Sequence, residues 1–136
     1  LAKIIQLFMN LGEVDNDAYI SPNLIKQFTE KAGLDSISPR AYGFDKPEGK
    51  SLAGKYFSAE SFGHTGFTGT SFWADPKQDV FIILLTNRVY PTRNNKKINT
   101  FRPFIHNQIM EILGKTEVRP SYLEFLEQEK RKLQKN

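Results

Sequence analysis

The sequence has no cysteine, only two histidines, two methionines and a single tryptophan. Without cysteine the chain offers no disulfide, no thiolate metal ligand and no cysteine nucleophile. The two histidines, His64 and His106, lie far apart and form no i, i+4 ligand pair, so no metal site and no cofactor is expected. Long apolar runs are missing too. The longest, residues 80–85, has the length of a strand and falls far short of the ~18 residues that a membrane span requires. Charge of one sign is scarce: 19 Lys and Arg stand against 15 Asp and Glu, a net charge of +4. The basic excess gathers at residues 88–97 and 130–135 and reads as a solvated face and a charged terminal helix. Nucleic-acid binding would call for basic residues on one face of a known module, and neither is visible. There is also no initiator methionine. Leu1 opens inside a helical pattern without a capping residue, so the first residue is read as a cut edge, with any targeting segment upstream.

What is present is a globular composition, 39% hydrophobic and 12% aromatic over 136 residues, enough for one domain with a core. Leu1, Ile4, Ile5, Phe8 and Met9 form one helical stripe. A loop rich in Asp and Asn follows. Ser21 and Pro22 then read as the N-cap and first turn of a second helix running to about Lys31, burying Leu24, Ile25 and Phe28 and stopped by Gly33. From Arg40 the period changes. Residues 41–44 and a run ending at His64 read as short strands, separated by a loop at residues 46–55. Thr70, Phe72 and Ala74 alternate with Ser71 and Trp73, as a strand with two different faces does. After a turn opened by Asp75-Pro76, residues 80–87 read as a strand apolar on both faces, hence central and covered on each side. The short connection makes these last two an antiparallel hairpin. Residues 88–97 are a polar loop. Phe101, Ile105, Ile109, Ile112 and Leu113 predict a third helix, with Pro103 in its first turn and Gly114 as its stop. Ser121 with Glu124 predicts a capping box for a fourth, whose Glu127 and Arg131 are spaced for an ion pair. The order predicts an α+β fold, an antiparallel sheet with packing helices.

Chemistry concentrates at residues 62–71. Three glycines in seven residues allow close approach to backbone, and a histidine and several hydroxyls share the stretch. Spacing alone leaves open a tight turn with a satisfied histidine. A phosphate-cradling loop is disfavoured, because no Lys follows the last glycine and no helix pattern opens there. His106 reads as an ordinary helix histidine, and Phe72 and Trp73 as sheet-face residues.

His64-Thr65-Gly66 at a strand end, followed by Phe67-Thr68-Gly69-Thr70-Ser71-Phe72-Trp73-Ala74-Asp75-Pro76, resembles the third box of the class C β-lactamase-like, penicillin-recognising serine hydrolases. Ile20-Ser21-Pro22, Tyr42-Gly43-Phe44 and Leu84-Leu85-Thr86-Asn87-Arg88 match in the same order. The resemblance spans residues 1–114 and leaves 115–136 as a charged helical tail. A likeness to modules joined to bacterial β-N-acetylglucosaminidases is weaker. The resemblance implies a partial β-lactamase/transpeptidase-like fold and an exported, cell-envelope bacterial protein. It implies acyl transfer on an amide, ester or β-lactam carbonyl of a small substrate. His64 would line the pocket beside the nucleophile, Thr65 would face the substrate, and Gly66 would leave it room. The Phe67 N–H would supply half of the oxyanion hole. His in place of Lys puts an acidic substrate group in doubt.

The family's nucleophile sits in Ser-x-x-Lys. None of the serines at 21, 36, 38, 51, 58, 61, 71 and 121 has Lys three residues on. Tyr19-Ile20-Ser21 and Tyr56-Phe57-Ser58 match the second box formally, but lie too near the third. The chain is therefore expected to be a C-terminal fragment, inactive alone, partnered by the upstream part of its own polypeptide and prone to self-association through an exposed sheet edge. The rivals are a binding module of the same fold without the chemistry, and an unrelated α+β interaction domain.

Overall fold

The first apolar stripe forms α1 (Ala2–Met9), which sinks Ile5 into the interior while Leu1 and Ile4 stay largely exposed. The structure is a computed structural model that describes residues 1–33 and 39–134. After α1 the Asp- and Asn-rich stretch is not a simple loop. It pairs β1 (Glu13–Val14) with β2 (Asp17–Ala18) through Asp15 and Asn16, both at positive φ. A two-residue hairpin with two left-handed central residues favours Asn and Asp for their tolerance of that conformation.

Helix α2 (Pro22–Thr29) starts as its sequence predicts, with Pro22 in the first turn and the Ser21 hydroxyl accepting from the Leu24 N–H at 3.4 Å. It ends earlier than expected, because Glu30 turns extended (ψ 161°) before Gly33 is reached. Of its three apolar residues only Ile25 is buried; Leu24 and Phe28 are exposed by nearly half.

Residues 41–44 do not form the expected strand. The Ala41 N–H closes a turn on the Phe44 carbonyl, which swings the Phe44 ring against Phe8, Phe62 and Phe72. Only the next residue, Asp45, makes a bridge, antiparallel to Gly63. The sheet proper has three antiparallel strands in the order β3 (Phe62–Thr65), β4 (Ser71–Asp75) and β5 (Val80–Leu84). The predicted hairpin is there, turned at Asp75, whose carboxylate accepts from the Gln78 N–H and Nε2. The expectation of a central β5 is overturned. Among the described residues β4 is central, and β5 pairs only with it, with four of its five residues half-buried. One face carries Phe62, Phe72, Ala74, Phe81 and Ile83 and packs on Ile5, Phe8 and Met9 of α1.

The described chain divides into two compact units: residues 1–46 with 60–95, which hold α1, α2 and both sheets, and residues 47–59 with 96–136. In the second unit α3 (Ile98–Ile112) begins earlier than its pattern suggested. Pro103 thus falls in the second turn, not the first. The buried face is Ile98, Arg102, His106 and Met110, whereas Phe101, Ile112 and Leu113 of the predicted stripe are exposed. Gly114 does end the helix, at φ 70°, with its N–H on Glu111 and that of Lys115 on Met110. Helix α4 (Pro120–Leu133) buries no residue, and the capping box is absent. Pro120 opens the helix, and the Ser121 hydroxyl accepts instead from Arg119 Nε at 3.0 Å. The ion pair that forms on it is Lys132 with Glu129. No helix of the described residues is long and apolar enough to cross a membrane.

Candidate active site

The segment that drew attention in the sequence ends β3 and turns into β4. In antiparallel strands a residue's N–H and C=O point to the same side, and sides alternate along the chain. Both backbone groups of Gly63 are bonded to Asp45, at 3.1 and 2.7 Å, so they point away from β4. His64, paired with Phe72, faces β4, and Thr65 again faces outward. Beyond the single Asp45 bridge no described strand covers that outer edge. The backbone at Thr65 is thus open on the side away from β4.

Gly63 is required by packing: a Cβ there would lie 2.5–2.7 Å from Trp73 ring atoms and would collide with the Phe72 carbonyl. The Trp73 ring, 1% exposed, takes the space that any side chain at 63 would need. Gly66 meets a different neighbour. A Cβ on it would run into the Thr70 hydroxyl, from the far side of the same turn.

Residues 66–69 form a tight turn. The Gly66 N–H donates to the Thr70 carbonyl at 2.8 Å, and the Gly69 N–H returns to the Gly66 carbonyl at 3.1 Å. Because the peptide is planar and trans, the N–H of Phe67 points opposite to the Gly66 carbonyl, away from the turn interior. Among the described residues it donates to nothing. The three carbonyls that follow are all held by the segment leaving β5. Phe67 O accepts from Arg88 Nε at 2.7 Å, Thr68 O from the Arg88 N–H at 2.8 Å, and Gly69 O from Thr86 Oγ1 at 2.7 Å. The Arg88 guanidinium also lies 4.6 Å over the Phe67 ring, and its Nη1 reaches the carbonyls of Arg93 and Asn95, each at 3.2 Å.

The four residues singled out from the sequence are therefore contiguous at one strand end, but not equivalent. Alternation projects the His64 and Thr65 side chains from opposite faces of the sheet. His64 is exposed, Thr65 half-buried, and the Phe67 ring is 63% exposed. Of the four, Thr65 and Phe67 turn backbone groups to the outer edge, whereas His64 and Gly66 are bonded toward β4. Such an edge can take a ligand's backbone as a further strand and offer one fixed donor to an oxygen beside it.

Sequence reasoning missed Thr86 and Arg88, which hold the turn from behind. The sequence pattern places Arg88 in a solvated basic loop; in the structure its fork donates to main-chain carbonyls. The signal was at hand in Leu84-Leu85-Thr86-Asn87-Arg88, but nothing in a linear pattern says which turn those side chains reach.

Among the described residues His106 belongs to the other unit. It is fully buried, with Nδ1 3.0 Å from the Leu52 carbonyl. A carbonyl only accepts, so Nδ1 carries the proton in the neutral ring. Burial lowers its pKa from 6.5 to about 4, opposed by the Leu52 carbonyl and reinforced by Arg102.

The family described as Beta-lactamase matches residues 2–105, well over half of the chain and including both the strand end and the hairpin. The chain belongs to the beta-lactamase family. Similar proteins from Salmonella paratyphi B, Salmonella newport and Salmonella heidelberg, each named "Putative D-alanyl-D-alanine carboxypeptidase", are 27% identical to it over 100 residues. The alignments cover 73% of this chain and 23% of each relative, so this beta-lactamase-family chain matches about a quarter of their length. An α+β chain with a small antiparallel sheet agrees with a partial fold of that family.

Proposed function

We propose that this chain provides one wall of the acyl-transfer pocket of a serine hydrolase. The reaction is attack by a serine on an amide, ester or β-lactam carbonyl, followed by hydrolysis of the acyl-enzyme. In this reading the substrate lies along the outward edge of β3 at Thr65, with Gly66 flanking it. His64 stands beside the nucleophile as the group that orients or polarises its hydroxyl. The Phe67 N–H binds the carbonyl oxygen as it becomes an oxyanion, where a donor held in advance acts without reorganising. The observation that carries the reading is the open β3 edge with the Phe67 N–H directed out of the turn. The names of the Salmonella relatives point to a peptide ending in D-alanine as one substrate class to try first.

No serine in the 136 residues is followed at the third position by Lys. On this reading the nucleophile and its base come from another part of the polypeptide, and these 136 residues alone are inactive. The same fact favours the second reading, a binding module that keeps the fold without the chemistry. A fluorophosphonate probe separates the two when applied to this chain and to a form extended upstream in the same gene. Labelling of the longer form alone, lost when its Ser-x-x-Lys serine is replaced, is the expected result. Labelling of neither form favours the binding module. Labelling of the 136 residues by themselves would place the nucleophile among their own serines and overturn the proposal.

A further inference from the structure

The Phe67 N–H lies in the peptide unit between Gly66 and Phe67, and the unit that follows meets it at the Phe67 Cα; the two are held by different means. The unit between Gly66 and Phe67 is fixed from inside the turn, by the Gly69 N–H on the Gly66 carbonyl. Among the described residues the next unit is fixed by a side chain from β5's exit, Arg88 Nε on the Phe67 carbonyl at 2.7 Å. The neighbouring tethers, Arg88 N–H to Thr68 and Thr86 Oγ1 to Gly69, hold later residues and do not depend on the arginine side chain. The guanidinium is itself braced, by the carbonyls of Arg93 and Asn95 and by the Phe67 ring beneath it.

We infer that Arg88 is a positioning residue for acyl transfer, one that anchors the Phe67 end of the peptide carrying the N–H without touching the substrate. The inference rests on the acyl-transfer reading above for its catalytic half, but the tether itself belongs to this chain alone. With Nε bonded to the Phe67 carbonyl, rotation of the Phe67–Thr68 peptide would break a charge-assisted bond and unstack the ring. Without that bond the turn stays attached at Gly66, Thr68 and Gly69, and the Phe67 Cα between them loses its one side-chain anchor. A rigid donor matters most when charge appears on the oxygen, so the loss belongs to kcat and leaves ground-state binding little changed.

Amide resonances of the 136-residue chain test the tether, and kinetics of the upstream-extended form test its consequence. Arg88→Met keeps the apolar stem and removes every donor; Arg88→Lys keeps the charge and loses the fork. In the isolated chain Arg88→Met is expected to shift and broaden the Phe67 and Thr68 amides while those of β4 and β5 stay put. In the extended form it is expected to lower kcat roughly 10²-fold with KM little changed, as misplacement of an oxyanion donor does. Arg88→Lys should recover part of the loss. Unmoved Phe67 and Thr68 amides in Arg88→Met overturn the inference, as does unchanged kcat in a form that His64→Ala inactivates; both results leave the acyl-transfer reading standing. An extended form that never labels with the fluorophosphonate overturns the reading and the catalytic half of the inference together.

Discussion

Gly63 and His106 show how much a single position is constrained once its neighbours are known. At Gly63 even a methyl group would press on the Trp73 ring and the Phe72 carbonyl, and neither can move without disturbing the register of β3 with β4. Overpacking of this kind costs about 1–3 kcal/mol. Gly63→Ala is therefore expected to lower stability by about that amount, and urea unfolding monitored by Trp73 fluorescence reads it directly. A neutral result would show that the indole has room the structure does not give it. His106 makes the opposite kind of demand, on protonation state and not on volume. Its ring is buried neutral with a pKa of about 4, against an ordinary value of 6.5 in the unfolded chain. Between those values the unfolded chain holds a proton on this ring that the folded chain does not, so unfolding takes up a proton and acid favours it. Stability should fall as pH drops from 6.5 to 4 and level off below, by up to roughly 3 kcal/mol at 1.36 kcal/mol per unit. His106→Gln should flatten that part of the pH dependence whatever it does to stability at neutral pH. An unaltered slope would assign the acid sensitivity to other groups.

Elements that depend on local chemistry were legible in the sequence, and those that depend on distant partners were not. The Ser21-Pro22 start of α2, the Gly114 stop of α3 and the β4–β5 hairpin each follow from residues within a turn of the feature. The strand end carrying His64 through Phe67 was legible for the same reason. Three failures are local, the Asp15-Asn16 hairpin, the Gly33 stop of α2 and the Ser121 capping box; the rest are of the other kind. Phe44 leaves a strand-like run because three other phenylalanines, Phe8, Phe62 and Phe72, surround its ring. Helix α3 buries Arg102 and His106, which a hydrophobic stripe places on the outside, and among the described residues β5 lies at an edge although its residues suit a centre. Arg119 is the strongest case. It is 2% exposed, and its guanidinium donates to the carbonyls of Gly49 and Phe57 at 2.8 Å and of Gly54 at 3.2 Å, with its own N–H on Lys55. An arginine before a charged helix reads as solvated; here it gathers the irregular segment at 47–59 around one planar fork. Removing it leaves those carbonyls buried without donors, and Arg119→Ala is expected to cost about 3–5 kcal/mol. Arg119→Lys should recover only a part, since one ammonium cannot span the same acceptors. Thermal unfolding decides this, and a loss below about 1 kcal/mol would mean that the segment is held by other contacts.

At the scale of the whole molecule, the three-stranded sheet has two edges that no described strand covers, and they differ in kind. The outer edge of β3 is short, broken by the Asp45 bridge and interrupted by glycine, which limits pairing to a short stretch of chain such as a substrate backbone. The outer edge of β5 is five consecutive apolar residues, Val80–Leu84, with no Pro, no Lys and no bulge to discourage another strand. Edges of that composition pair with a further chain unless something covers them. We propose that in the 136-residue form a second copy does so, antiparallel about a two-fold axis, since one self-complementary edge then satisfies both chains. Sedimentation of this form should show a dimer whose fraction grows with concentration. Leu84→Lys, at the half-buried end of the strand, should shift it toward monomer without loss of helix or sheet signal. The upstream-extended form offers a sharper contrast: if its added residues supply the missing neighbour of β5, it should stay monomeric where the short form dimerises. A short form that remains monomeric at every concentration would show that this edge is protected within the chain itself.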